Sequence, residues 1–244
     1  MRRSNRFLAS LGPYLGRISP DLRDVTLAAG QVLNEPGEVI RKVYFLNEGL
    51  VSKLAVFEDG TEIECAVVGR GGAVGAMSAL GLRRSVTRDV CHMRATAQVI
   101  EAGQLAAAAR SCEHLHAALD SYCARKMTYA IRNGACNALH PVEQRLCRWL
   151  LTCSDVLEEK EIRLPQDVFA KMLGVQRTSV NPILRRLRAE RMIALGRSRV
   201  ILLDRPRLME RACECYLAIR EYSGADAPPE HEEIADVPPL RICR

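Results

Sequence analysis

Between positions 177 and 188 the chain carries Arg177, Thr178, Ser179, Asn181, Arg185 and Arg188. These side chains suit the recognition of a nucleic-acid duplex better than the making or breaking of bonds. A guanidinium presents parallel donors that match O6 and N7 of guanine, a carboxamide pairs with adenine, and a threonine methyl fits against that of thymine. On this chemistry Arg177 is assigned to guanine, Asn181 to adenine and Thr178 to a thymine methyl, while Ser179 and Arg185 suit phosphate oxygens. Arg197 and Arg199, which flank Ser198 just after Gly196, are expected to grip the sugar-phosphate backbone.

The elements that must position these groups are legible around them. Val168, Phe169, Met172 and Leu173 fall on one helical face, Gly174 supplies a turn, and Val180, Ile183, Leu184 and Leu187 form the facing stripe of a second helix. This is the spacing of a helix-turn-helix, whose second helix offers the residues of its first turns to base edges. The tight turn calls for a left-handed backbone, which glycine adopts without strain. Pro182 removes one helical hydrogen bond; it is expected close to the first turn, and a later helix start would move the contact residues with it. Residues 192–195 and 200–203 alternate as a hairpin with Arg197 and Arg199 at its tip, a wing beside the helix-turn-helix. Charge agrees with this reading. From Gln166 to Arg211 there are eleven lysines and arginines against four acids, an excess of seven, where the whole chain has a net charge of +6. Focused positive charge of this kind is the footprint of a polyanion partner.

Upstream, residues 25–103 read as short strands separated by glycine-bearing turns, among them 43–46, 50–57, 62–68 and 95–101. Their spacing predicts a compact β-barrel or jelly roll. From Cys112 to Leu139 no proline interrupts a helical pattern in which Leu115, Leu119, Tyr122, Cys123, Met127, Ala130 and Ile131 recur at steps of three and four. Two partners fit that stripe: the same helix of a second copy, or the chain's own β-domain. The first assigns Leu115, Leu119, Tyr122, Met127 and Ala130 to a dimer seam. Pro141 ends this helix, and residues 142–153 begin another that carries the sole tryptophan, Trp149. The expected division is a helical lead-in (1–24), a β-domain (25–110), a dimerisation helix (111–140), a winged helix-turn-helix (141–222) and a disordered acidic, proline-rich tail (223–244).

Composition narrows the function. The 244 residues, 48% of them apolar, suffice for two compact domains. No apolar run reaches the ~18 residues that span a bilayer, so the expected location is the cytoplasm and no membrane partner is assigned. No P-loop, nucleophile-elbow or metal-hydrolase motif is present, so no catalytic residue is assigned. The ten cysteines are scattered through a long chain, and reduced thiols packed as small apolar side chains are expected. Cys91-His92, Cys112 with His116, and Cys213-Glu214-Cys215 are the soft-ligand clues. Such groups more often pack than ligate, so no metal and no cofactor are assigned.

The motifs together resemble the Crp/Fnr family, regulators related to catabolite activator protein, over about residues 25–205. The resemblance rests on residues 44–51 (YFLNEGLV), Asp59-Gly60-Thr61-Glu62, the stretch Gly69 to Gly75, residues 145–151 (RLCRWLL) and the helix-turn-helix itself. It implies an α+β chain with an N-terminal β-barrel of cyclic-nucleotide-binding type, a long dimerisation helix and a C-terminal winged helix-turn-helix. It further implies a homodimer on near-palindromic double-stranded DNA, with RNA polymerase as a candidate partner. Members that bind cyclic nucleotides use a glutamate on the ribose and an Arg-Ser or Arg-Thr step on the phosphate. Here Gly75-Ala76-Met77 puts a methyl group at the carboxylate position, and Arg84-Ser85 comes slightly early, so tight binding of cyclic AMP is not expected. Iron-sulfur members use an N-terminal cysteine cluster, whereas the first cysteine here is Cys65. Two alternatives remain: a ligand-, haem- or redox-switched regulator of the same fold, and a cyclic-nucleotide-domain adaptor that no longer binds DNA.

Overall fold

The computed structural model describes residues 4–222; the tail expected over 223–244 lies outside the described residues. Asn5, near the start of the described chain, is buried. Its side chain accepts from the Leu8 N–H at 2.9 Å, capping α1 (Arg6–Ser10), and its amide donates to the carbonyls of Leu46, Arg70 and Gly72. One side chain thus ties the lead-in to the β-domain.

That domain contains β1 (Arg23–Leu27), β2 (Val32–Asn34), β3 (Lys42–Glu48), β4 (Val51–Val56), β5 (Glu62–Val68), β6 (Ala73–Val74), β7 (Arg88–Cys91) and β8 (Ala95–Glu101). They form two antiparallel four-stranded sheets, ordered β1-β8-β3-β6 and β2-β7-β4-β5, the double-sheet arrangement of a jelly roll. Leu27, Leu46, Val51, Val68, Val74 and Cys91 pack together in one core cluster contributed by both sheets. Phe45, on β3, stacks on Phe7 of α1 at 5.7 Å between ring centroids.

Helix α2 (Ala102–Ser111) leads into the 27-residue α3 (Glu113–Leu139). The structure corrects the dimer assignment here. Leu115, Leu119 and Tyr122 are buried against the chain's own α1, α2 and β3, and the Tyr122 hydroxyl donates to the Ala73 carbonyl at 3.0 Å while accepting its N–H at 2.8 Å. Groups buried in this way have no surface to offer a second copy. Of the five residues assigned to a seam only Met127 is exposed, and Ala130 is half-buried beside it. The face turned to solvent instead carries Ala117, Ala124, Met127, Ile131, Gly134 and Ala138, spaced by sevens, threes and fours.

Pro141 starts α4 (Val142–Leu157), followed by β9 (Glu161–Ile162), α5 (Gln166–Leu173), α6 (Arg177–Ala189), β10 (Ile193–Gly196), β11 (Arg199–Leu202), α7 (Arg205–Arg211) and α8 (Cys215–Tyr222). Trp149 of α4 packs edge-on to Phe169 of α5 at 5.4 Å. Their core continues without a break into Leu50, Leu54, Ala66 and Val67 of the β-domain. A buried polar chain runs through the same contact. Glu64 accepts from Trp149 Nε1 at 2.7 Å and from the Ser52 hydroxyl at 2.6 Å, while Asn133 of α3 donates to the Glu64 carbonyl and accepts from Arg148 at 2.6 Å. Polar groups removed from water need such partners, so the β-domain, α3 and α4 are locked in one arrangement.

Candidate nucleic-acid interface

The turn of the helix-turn-helix is made by Gly174, at φ +62°. Its N–H bonds the Lys171 carbonyl and that of Val175 bonds Ala170, closing α5. A Cβ at Gly174 would stand 3.0 Å from the side chain of Ile63 on β5, so the position serves both the turn and the contact with the β-domain. Beside it Lys171 pairs with Glu62.

Helix α6 begins at Arg177, with Gln176 extended before it. Val180, Leu184 and Leu187 are buried, whereas Arg177, Thr178, Ser179, Asn181, Arg185 and Arg188 are exposed. Three buried residues at helical spacing hold the helix by one side and leave the polar set facing outward. Pro182 departs from expectation. It stands inside the helix, in its second turn, and removes the bond its N–H would make to the Thr178 carbonyl. Both residues are exposed, so water can satisfy that carbonyl and the helix continues.

The wing is a hairpin in which Gly196 faces Arg199, leaving Arg197 and Ser198 at the tip with Ser198 at φ +56°. Strand β9 adds a third strand through Ile162 and Glu161, and Arg199 reaches Glu161 at 3.5 Å. Both arginines are exposed.

Much of the local excess of basic residues is engaged by acids. Arg186 pairs with Glu143, Arg211 with Glu143 and Glu190, Arg207 with Glu190, and Arg205 with Asp155; these knit α6, α7 and α4 together. Arg185, Arg188, Arg191 and Arg197 present exposed side chains from α6, the loop after it and the wing. The interface is therefore a smaller set than the charge count implied.

In the β-domain a cavity of about 50 Å³ lies between the sheet and α3, lined by residues that include Lys53, Ala76, Ser85, Thr87, Tyr122 and Lys126. Small-molecule pockets commonly measure about 300–1,000 Å³. Lys53 is engaged by Asp89 at 2.7 Å, and Thr87 donates to the same carboxylate at 2.8 Å. Arg84 donates instead to the Gly37 carbonyl at 2.6 Å.

Profiles of two domains match this chain: the Cyclic nucleotide-binding domain over residues 24–111 and the Crp-like helix-turn-helix domain over residues 144–211. The chain belongs to the Crp/Fnr family. Its fold is shared with several solved regulators of that family. A CRP-family transcriptional regulator from Thermus thermophilus is 25% identical with a TM-score of 0.64, over 78% of this chain and 99% of that one. FixK2 from Bradyrhizobium japonicum is 15% identical with a TM-score of 0.70, over 79% of this chain and 98% of that one. The c-di-GMP responsive global regulator CLP from Xanthomonas campestris is 17% identical with a TM-score of 0.64, over 78% and 97%. No protein in a search of curated sequences matches. The Crp/Fnr architecture seen here is that of a DNA-binding transcription regulator with a helix-turn-helix and a domain of cyclic-nucleotide-binding type. Among the described residues no helix is long and apolar enough to cross a membrane.

The soft-ligand clues resolve differently from their sequence order. Cys112 is buried at the start of α3, while the His116 ring lies 3.4 Å from Asp120 and is half exposed, so these two are not joined in a site. Cys91 donates to the Met93 carbonyl at 2.9 Å, and burial pulls the pKa of His92 down to about 4. Cys213 and Cys215 instead meet Cys136 and His140, with all four ligand atoms within 4.8 Å of one another. The sequence signal for this set was present as Cys-x₃-His at 136 and 140 and Cys-x-Cys at 213 and 215, but nothing in the spacing joined the two halves.

Proposed function

We propose that the protein is a sequence-specific transcription regulator that binds near-palindromic double-stranded DNA as a homodimer. The observation that carries this is the division of α6 into a buried apolar side and an exposed side of Arg177, Thr178, Ser179, Asn181 and Arg185, beside a wing that exposes Arg197 at its tip and Arg199 at the start of its second strand. Arg177, Thr178 and Asn181 read bases; Ser179, Arg185 and the two wing arginines hold phosphates. The exposed face of α3, with Met127 and Ile131 at 60% and 65% exposure among small residues, pairs the two copies. That pairing places two recognition helices in successive major grooves. Cyclic AMP is not the signal: Ala76 cannot accept a ribose hydroxyl, and Arg84 is held by Gly37.

Fluorescence-polarisation titrations against DNA selected from a random pool test the reading. Affinity should fall steeply with salt, and Arg177→Ala should relax the preference at one base position by about 1–3 kcal/mol. An unchanged base preference removes Arg177 from the readers, and the absence of salt-sensitive affinity removes DNA altogether and leaves an adaptor.

A second reading adds a ligand switch. It is favoured by the position of the cavity under α3: to admit a small molecule the cavity has to widen from about 50 Å³, and that widening shifts the helix that pairs the copies. Calorimetry with cyclic AMP, cyclic GMP and cyclic di-GMP separates the readings, since a regulator without such a switch gives no heats.

A further inference from the structure

Two parts of the chain that lie outside both matched domains come together at the junction of α3 and the DNA-binding domain. Cys136 lies in the last turn of α3, and His140, whose N–H bonds the Cys136 carbonyl at 3.0 Å, is the residue that ends it. Cys213 and Glu214 lie between α7 and α8, and Cys215 is the first residue of α8. The three cysteines are buried and contact one another. Cys136 Sγ and Cys213 Sγ are 3.4 Å apart, and Cys215 Sγ is 3.7 Å from His140 Nδ1.

We propose that Cys136, His140, Cys213 and Cys215 form a tetrahedral centre for a zinc-class metal ion that fastens α8 to the end of α3. Tetrahedral zinc with bonds of ~2.3 Å to sulfur and ~2.0 Å to nitrogen holds its ligands roughly 3.8 Å apart for sulfur pairs and 3.6 Å for sulfur and nitrogen. The two measured pairs lie within a few tenths of an ångström of those separations. A disulfide would need sulfurs at about 2 Å.

The surroundings complete the centre. His140 Nε2 stands 3.1 Å from the Glu214 carboxylate. That contact holds the proton on Nε2 and leaves the Nδ1 lone pair facing Cys215, the carboxylate–histidine–metal arrangement that orients ligands in zinc proteins. Three thiolates, a neutral imidazole and a divalent ion sum to one negative charge. Arg145 and Arg148 act electrostatically on Cys136 and Cys213, and Arg132 acts on Cys215, so the neighbourhood favours an anionic centre. Four protein ligands leave no open position, which marks a structural ion rather than a catalytic one. In sequence, α3 and α4 are joined only by His140 and Pro141. Beside that connection the metal adds a tie between the end of α3 and the start of α8.

The site is tested without DNA, so its failure and that of the regulatory reading are distinguishable. The full chain is purified in reductant, its zinc is counted, and metal-stripped protein that retains its far-ultraviolet circular dichroism is titrated with Co²⁺. One zinc per chain and a thiolate-to-cobalt charge-transfer band with tetrahedral d–d bands, saturating at one equivalent, are expected. Cys213→Ser and His140→Gln should lower zinc retention, whereas the double variant Cys112→Ser/His116→Gln should leave it unchanged. Glu214→Gln alters an exposed side chain and should weaken zinc affinity by about 10- to 100-fold while preserving the fold. Reduced wild type that holds no zinc and develops no tetrahedral cobalt spectrum overturns the proposal. So does a cobalt spectrum that persists in Cys136→Ser/Cys213→Ser.

Discussion

Replacing Glu64 by glutamine should make the protein more stable above neutral pH and leave it nearly unchanged in acid. Glu64 is 2% exposed, and burial raises its pKa from 4.5 to about 7, against the lowering effects of the Ser52 and Trp149 hydrogen bonds and the Arg148 charge. The folded protein therefore keeps this proton over a range in which the unfolded chain has lost it. Between pH 4.5 and about 7 the folded state binds more protons, so stability falls as pH rises, and the full loss persists above that window. A shift of this size corresponds to about 3 kcal/mol. Glutamine has the shape of the protonated acid and no charge to desolvate. The stability difference between Glu64→Gln and wild type should grow by about 3 kcal/mol from pH 4 to pH 8, which is roughly 1 M in urea midpoint. Of the groups that interact with Glu64, Tyr129, Cys65 and Cys153 are pushed upward by burial, away from the window. Trp149, the only tryptophan, donates to Glu64 itself, so its fluorescence during urea unfolding reports from the site. Parallel pH profiles for the two proteins would refute the reasoning.

Two further outcomes follow from the proposed DNA-binding dimer. Arg197→Ala and Arg199→Ala, in the wing, should weaken binding equally for all sequences and lower the salt slope by about one for each phosphate no longer held; a change confined to one base position would make either a reader instead. Ile131→Glu places a charge on the exposed face of α3 and should weaken self-association roughly 30-fold or more, ~2 kcal/mol for an anchor within an interface. Sedimentation equilibrium measures it, and an undiminished dimer would move the seam elsewhere.

How much of this could be read beforehand depended on how local the signal was. Strand β5 begins and ends where the sequence marks it, because Asp59, Gly60 and Gly69 bracket it; β8 keeps its expected bounds although no turn residue precedes it and α2 follows directly. The helix-turn-helix was visible for the same reason as β5, since Gly174 and two apolar stripes fall within about twenty residues. Helix α3 carries apolar residues on two faces, and periodicity reveals the stripes without saying what covers each. Leu115, Leu119 and Tyr122 therefore stood as seam candidates until the packing of α1 and α2 placed them inside. Strand β9 has two residues in a polar stretch and depends on pairing with β11. Pro182 was expected nearer the helix start because a proline's cost is gauged from the backbone alone, while hydration of an exposed carbonyl decides whether the helix tolerates it. The cluster of Cys136, His140, Cys213 and Cys215 needed contact between segments more than seventy residues apart.

The contact between Gly174 and Ile63 has a genetic consequence. A residue in a recognition motif is ordinarily constrained by its nucleic acid, but position 174 also abuts the β-hairpin of the other domain. A side chain introduced there meets two separable obstacles: the left-handed backbone and the branched side chain at 63. Trimming Ile63 relieves the second and does nothing for the first. Second-site revertants of Gly174 variants should therefore arise in the β-domain, remain partial, and be strongest for asparagine, which tolerates that backbone best.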